Sequence, residues 1–171
     1  WEEIGKLQRE FLLDHDLQPQ DTLLDIGCGY FRGSRHFIDY LDDRNYYALE
    51  ANGHRVRYAE QHILPDYNLS DATYHIRICD DFDATGFDQQ FDYVFAHSVF
   101  THLTLNEIII CLQRIKPVLA DDGVFYASFN SADGIQSSTY RESSLSTSDG
   151  VETHPDADPF HYDPKLFTHL C

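Results

Sequence analysis

At 171 residues the chain is long enough for one domain with a substantial core. Against 12 basic residues it carries 29 acidic ones, a formal net charge of −17. Such a surface repels nucleic acid and anionic membranes, because phosphate binding needs clustered Lys and Arg and the basic residues here are scattered. A small-molecule or cationic substrate is the expected partner, a small molecule first, with no nucleic acid and no membrane. No stretch reaches the ~18 apolar residues that a membrane span needs, and no signal peptide is visible. Cys28, Cys79, Cys111 and Cys171 form no C-x-x-C pair, so reduced thiols and a cytoplasmic location are expected. A chain that opens on Trp1 and contains no Met reads as a piece of a longer polypeptide.

In chain order, residues 1–15 read as an amphipathic helix with Ile4, Leu7, Phe11 and Leu12 at helical spacing. Pro19 and Asp21 mark the turn into a strand over 22–26, which a helix follows over 32–41. A second strand over 45–50 leads to a helix over 54–62. A third strand, 73–79, alternates Tyr74, Ile76 and Ile78 with polar neighbours, and a fourth covers 91–97. The run Thr104-Leu105-Asn106-Glu107 is a capping box, since Thr104 and Glu107 can each satisfy the other's backbone donor. It opens a helix expected to run to about 119 and to bury Ile108, Leu112, Ile115 and Leu119. A fifth strand is expected over 123–129. Strands alternating with helices predict an α/β, doubly wound, three-layer sandwich on a mainly parallel sheet. Residues 131–158 are rich in Ser, Asp, Thr and Gly and read as a long mobile loop, with a short helix starting near Pro164.

The most informative segment is Leu23-Leu24-Asp25-Ile26-Gly27-Cys28-Gly29, an apolar strand running into a glycine turn. Glycines let the backbone turn tightly and approach a ligand where a Cβ would clash. A second apolar strand, Tyr46-Tyr47-Ala48-Leu49, ends at Glu50, 21 residues after Gly29. That is about the spacing at which an acid meets ribose hydroxyls in a nucleotide-binding β-α-β unit. An adenosine-containing cofactor is therefore expected. A dinucleotide fits less well: the third glycine of the run, Gly33, comes one place late, and Tyr30 and Phe31 stand where a pyrophosphate would press on the loop. Asp25 adds a negative charge that repels a diphosphate and attracts an ammonium group.

These residues resemble the first motif of the class I S-adenosylmethionine-dependent methyltransferases, hydrophobic-hydrophobic-D-x-G-x-G, matched from Leu23 to Gly29. The resemblance extends in order through Glu50, then Cys79-Asp80-Asp81-Phe82, then Phe91-Asp92-Tyr93-Val94-Phe95-Ala96-His97-Ser98. It ends in a looser version of the turn before strand five, 116–125, and covers roughly residues 1–130. It implies a Rossmann-like sheet of order 3-2-1-4-5, with two further strands missing beyond the fifth. On this reading residues 1–20 form an N-terminal helix, 21–130 the cofactor-binding core and 131–171 a loop and the start of a helix.

The resemblance implies S-adenosylmethionine as cofactor and S-adenosylhomocysteine as product. The implied contacts are Asp25, Gly27, Cys28, Gly29, Glu50, Ala51, Asp80, Asp81, Phe82, His97 and Ser98. A carboxylate at Glu50 offers two oxygens to two vicinal hydroxyls. Only one of Asp80 and Asp81 meets the adenine amine; Asp81 is preferred because Phe82 supplies an apolar wall beside it. His97 ends strand four, where α/β sheets keep their ligand crevice. His97 and His161 are the candidate catalytic bases, His97 equally readable as a turn cap. His102 reads as structural. Between His154 and His161 two His and two Asp invite a metal, but no zinc spacing is followed, and none is expected. The activity implied is O- or N-methylation of a small-molecule or protein acceptor. The rival readings are an NAD-type oxidoreductase domain, for which no Tyr-x-x-x-Lys pair is found, and a catalytically silent cofactor-binding or assembly module. Strand five would be an exposed edge, covered either by residues 131–158 or by a second copy of the chain.

Overall fold

Alternation along the strands builds the centre of the molecule. In a computed structural model, which describes residues 1–42, 44–69, 73–132, 145–146, 152–153 and 157–170, successive buried residues of each strand face opposite layers. Leu23, Tyr46, Ala48 and Phe95 join one apolar cluster with Leu12, Phe37 and Val56. Leu24, Leu49, Val94 and Ala96 join a second with Ile108, Cys111 and Ile115. A sheet whose strands are apolar on both faces must be covered on both, and parallel strands with helical crossovers supply that cover.

The elements are α1 (Glu2–Leu13), β1 (Leu23–Ile26), α2 (Ser34–Tyr40), β2 (Tyr46–Glu50), α3 (Gly53–His62) and β3 (His75–Ile78). They continue with β4 (Phe91–Ala96), α4 (Leu105–Ile115) and β5 (Leu119–Ala127). The short pieces β6 (Asn130–Ser131), β7 (Leu145–Ser146), β8 (Glu152–Thr153), β9 (His161–Tyr162) and α5 (Pro164–Phe167) complete the described chain. The main sheet is parallel throughout, in the order β3-β2-β1-β4-β5. Architecture and order are those expected from the sequence.

Two local differences have identifiable causes. The helix expected to reach residue 119 stops at Ile115 and tightens into a 3-10 turn over Lys116–Val118. Pro117 cannot donate to a helical carbonyl, and it disfavours helix in the residue before it. Consequently Leu119 begins β5 instead of ending α4. The strand bulges early, because Leu119 pairs with Phe91 while Val124 already pairs with Tyr93. The capping box itself is present, with Glu107 Oε2 accepting from Thr104 N at 2.7 Å.

The second difference concerns α1. Its apolar stripe does not face the core: Ile4, Leu7 and Phe11 are 42%, 61% and 41% exposed, and the buried face is Gly5, Gln8 and Leu12. The cause is a close approach to the start of α2. A Cβ at Gly5 would stand 2.3 Å from the Arg32 carbonyl, and one at Gly33 would stand 1.8 Å from Gln8 Oε1. Small residues select the packed face here, and the apolar stripe is left beside β4 and β5.

At the far edge of the sheet β5 is the last strand, in the place expected for it. Among the described residues β5 has β4 as its only neighbour in the main ladder. The described parts of residues 131–158 pair elsewhere, β6 with β9 and β7 with β8. The rest of that segment, with His154, Pro155 and Asp156, lies outside the described residues.

Candidate functional site

All five parallel strands point their carboxyl ends the same way, and the loops that leave them form two adjoining cavities. The larger, about 750 Å³, is walled by the ends of β1, β2 and β3 and by the segments after β3 and β4. Glu50, Ala51, Asp80, Asp81 and Phe82 line it, together with apolar Leu49, Val99, Leu103 and Ile110. The smaller, about 220 Å³, lies over the glycine turn and is lined by Asp25, Gly27, Cys28, Gly29, Arg32, His97 and Ser98, among others. Gly27, Arg55 and Ser98 belong to both walls. Each cofactor-binding residue expected from the sequence therefore lies on one of these two cavities. His161 lies on neither; it sits on β9, and its Nδ1 is buried with no hydrogen-bond partner among the described residues.

The rim is built from unusual backbone. Gly27 and Gly29 have φ of +76° and +58°, and Phe82 and Ser98 also have positive φ. Non-glycine residues in this region carry strain, and such residues cluster at ligand sites. The two glycines serve different neighbours. A Cβ at Gly27 would meet Val99 Cγ2 at 2.6 Å, so that glycine makes room for a side chain of the protein. A Cβ at Gly29 would meet nothing nearer than the Gly27 carbonyl at 4.0 Å, so that position faces open space.

Glu50 is the hinge between the cavities. It is buried, its Oε2 accepts from Gly29 N at 2.8 Å, and its Oε1 accepts from Asn52 N at 2.9 Å. The carboxylate thus ties the turn after β1 to the turn after β2. Each oxygen keeps a lone pair for a further donor. Arg55 Nη1 lies 4.0 Å from Oε1, half exposed, and contributes a screened positive charge.

Asp25 is also buried, and its Oδ2 accepts from Tyr46 Oη at 2.6 Å and Ser34 Oγ at 3.0 Å. Burial pushes its carboxyl up to about 6, against the downward pull of those two hydrogen bonds, and the Glu50 charge adds to the rise. Tyr46 and Ser34 carry no motif signal; a Tyr opening a strand and a Ser opening a helix read as ordinary core residues. Gln8 is equally silent, yet its Nε2 stands 3.0 Å from His97 Nδ1, and Ser98 Oγ approaches the same nitrogen at 3.1 Å. Burial, with Arg32 nearby, lowers the His97 pKa and keeps the ring neutral. His97 is thus held in place by its neighbours with a neutral ring, the form in which an imidazole can take up a proton. His102, read as structural, does clasp two loops: its Nδ1 stands 2.5 Å from Asp158 Oδ2, and both residues line the larger cavity.

A model of the methyltransferase domain family matches residues 24–125. Several solved structures share the fold at low identity. The PH0226 protein from Pyrococcus horikoshii OT3 is 17% identical with a TM-score of 0.67, over 94% of this chain and 76% of that one. Magnesium protoporphyrin IX methyltransferase from Synechocystis PCC 6803, solved with bound SAH, is 15% identical with a TM-score of 0.62, over 77% of this chain and 56% of that one. PKMT2 from Rickettsia typhi, solved in complex with AdoHcy, is 18% identical with a TM-score of 0.58, over 69% of this chain. This chain spans only 22% of the length of that protein.

Proposed function

Because the chain belongs to the methyltransferase domain family and has the fold of the class I S-adenosylmethionine-dependent members, we propose that it binds S-adenosylmethionine and transfers its methyl group to a small-molecule acceptor. The observation that carries this reading is the pair of joined cavities, each matched to one half of that cofactor. The larger offers a buried carboxylate at Glu50 for ribose hydroxyls, acids at Asp80 and Asp81 for an exocyclic amine, and Phe82, Val99 and Leu103 as apolar walls for a flat base. The smaller sets an acid, Asp25, and two guanidinium groups, Arg32 and Arg55, around a volume suited to a zwitterionic amino-acid tail. A dinucleotide finds no such match, since Asp25 and Glu50 oppose a diphosphate at the turn.

The bound cofactor supplies a methyl group on a sulfonium with a good leaving group. The protein then has to align the acceptor and exclude water, and orientation of this kind accounts for about 7–11 kcal/mol of a barrier. His97, held by Gln8 with its ring neutral, suits the task of orienting an acceptor oxygen or nitrogen at the mouth of the smaller cavity and of taking the proton the acceptor loses as its bond to the methyl carbon forms and the carbon–sulfur bond breaks.

Calorimetric titration with S-adenosylmethionine, S-adenosylhomocysteine and NAD tests the assignment. The first two are expected to bind; NAD in their place overturns it. A screen of acceptors then separates an enzyme from a silent module, turnover of none of them favouring the latter.

Affinity should also depend on pH in a defined direction. The carboxyl of Asp25 titrates near 6 in the free protein, and an ammonium beside it favours the ionised form. Above about 6 the site is ready and affinity is flat. Below that, Asp25 must lose a proton on binding, and affinity falls by up to about tenfold per pH unit. Titration of S-adenosylhomocysteine between pH 5 and 7.5, in wild type and in Asp25→Asn, checks this. A slope that persists in the Asn variant assigns it to another group.

A further inference from the structure

Beyond the two cavities lies a third, about 550 Å³, between α1 and the ends of β4 and β5. Gln8 and His97 line both it and the cavity over the glycine turn, so the two spaces share a wall at the proposed site of methyl transfer. Its sides are the apolar stripe of α1 that the fold leaves uncovered, Ile4, Leu7 and Phe11, facing Phe95 and Tyr126. The rings form a continuous row. Phe11 meets Tyr126 edge-on at 5.3 Å and lies 6.3 Å from Phe95, whose ring is 6.1 Å from that of His97. Among the described residues no Lys, Arg, Asp or Glu lines this groove.

We infer that this groove takes the body of the methyl acceptor, and that the acceptor is a neutral small molecule with an apolar, ring-bearing body. The inference rests on the methyltransferase reading and specifies its substrate class. Three observations commit it to this occupant. The groove has the size of a small-molecule site, which falls at roughly 300–1,000 Å³. Its walls hold no charge, and an ion placed among apolar walls without a partner is strongly opposed. This excludes a carboxylate, phosphate or ammonium on the buried part, although the chain as a whole is acidic enough to attract cations. Finally, two of its polar residues, Gln8 and His97, are those it shares with the cavity over the glycine turn, so a nucleophile held by them faces the proposed methyl group. An apolar slot closed by a few hydrogen-bonding groups orients a hydroxyl- or amine-bearing ring with its reactive atom inward.

The test uses N-phenyl-1-naphthylamine, a neutral probe that fluoresces in apolar surroundings. Wild type is expected to take it up, and 2-naphthol to displace it at least about tenfold more effectively than 2-naphthoate. Leu7→Glu puts a charge on the wall at an exposed helical position, where folding is not at stake. It should weaken probe binding by about tenfold or more, the scale on which an apolar slot reads small changes, and leave S-adenosylhomocysteine binding unchanged by calorimetry. Equal probe uptake by Leu7→Glu, or equal displacement by the naphthoate, overturns the inference. So does a wild-type dimer that refuses the probe and that Leu7→Glu dissociates, since the groove is then filled by a second copy. A wild type that takes the probe but binds no S-adenosylhomocysteine overturns the methyltransferase reading instead, so the two failures are distinct.

Discussion

Gly29→Val is expected to abolish measurable cofactor binding while the sheet still forms. The backbone there has φ +58°, a region that costs an ordinary L-residue about 1–2 kcal/mol, and a β-branched one more. A Cβ at this position opposes nothing in the protein, its nearest contact being the Gly27 carbonyl at 4.0 Å. The loss of stability should therefore stay near the strain term. The new methyl groups project instead into the small cavity over the turn, where the amino-acid tail of the cofactor is proposed to lie. Gly29→Ala, with one carbon, should retain part of the affinity. Calorimetric titration with S-adenosylhomocysteine beside circular dichroism separates binding from folding. Normal affinity in a folded Val variant shows that the turn merely joins β1 to α2. Gly27 gives the opposite pattern: its Cβ would collide with Val99, so Gly27→Ala should cost stability first.

The sheet was legible because parallel strands buried on both faces leave short, largely apolar runs, and Leu23–Ile26, interrupted only by Asp25, and the residues leading up to Glu50 are such runs. Their ends, Gly27 and Glu50, were legible for the related reason that polar or glycine residues closing an apolar run have few structural explanations. The orientation of α1 was not legible. Ile4, Leu7 and Phe11 have the spacing of a buried face, and what overrides it is the contact of Gly5 and Gln8 with the backbone around Gly33, visible only once α2 is in place. The same holds for partners acting through another residue. Tyr46 and Ser34 hold Asp25, and Gln8 holds His97, across gaps of 21, 9 and 89 residues that no local pattern spans. Arg55 had no signal either, one exposed arginine on a helix being the commonest of surface residues. Alternation along a strand reports which layer a residue faces. It does not report which polar atom meets which, and the chemistry of the site depends on the latter.

Glu50 is where both kinds of information meet, and its removal should be the next largest loss. Hydrogen bonds to a charged partner contribute about 1.5–3 kcal/mol, so Glu50→Ala is expected to weaken S-adenosylhomocysteine binding by roughly 10- to 150-fold. The same carboxylate also satisfies Gly29 N and Asn52 N, and the variant leaves both donors without it. Part of the loss therefore comes from the turn itself, and the ribose contact is identified only by varying the ligand as well. A 2′-deoxyribose analogue of S-adenosylhomocysteine resolves this through a double-mutant cycle. If Glu50 meets the ribose hydroxyls, deleting a hydroxyl weakens binding in wild type and costs little in Glu50→Ala. If the penalty is the same in both proteins, Glu50 only shapes the turn. The pH profile supplies an independent check on the neighbouring acid. The Glu50 charge helps to raise the Asp25 carboxyl, so removing it should move the acid limb of the binding profile to lower pH. That shift requires the two carboxylates to sense one another across the turn, and an unmoved limb in Glu50→Ala shows that burial alone raises the Asp25 carboxyl.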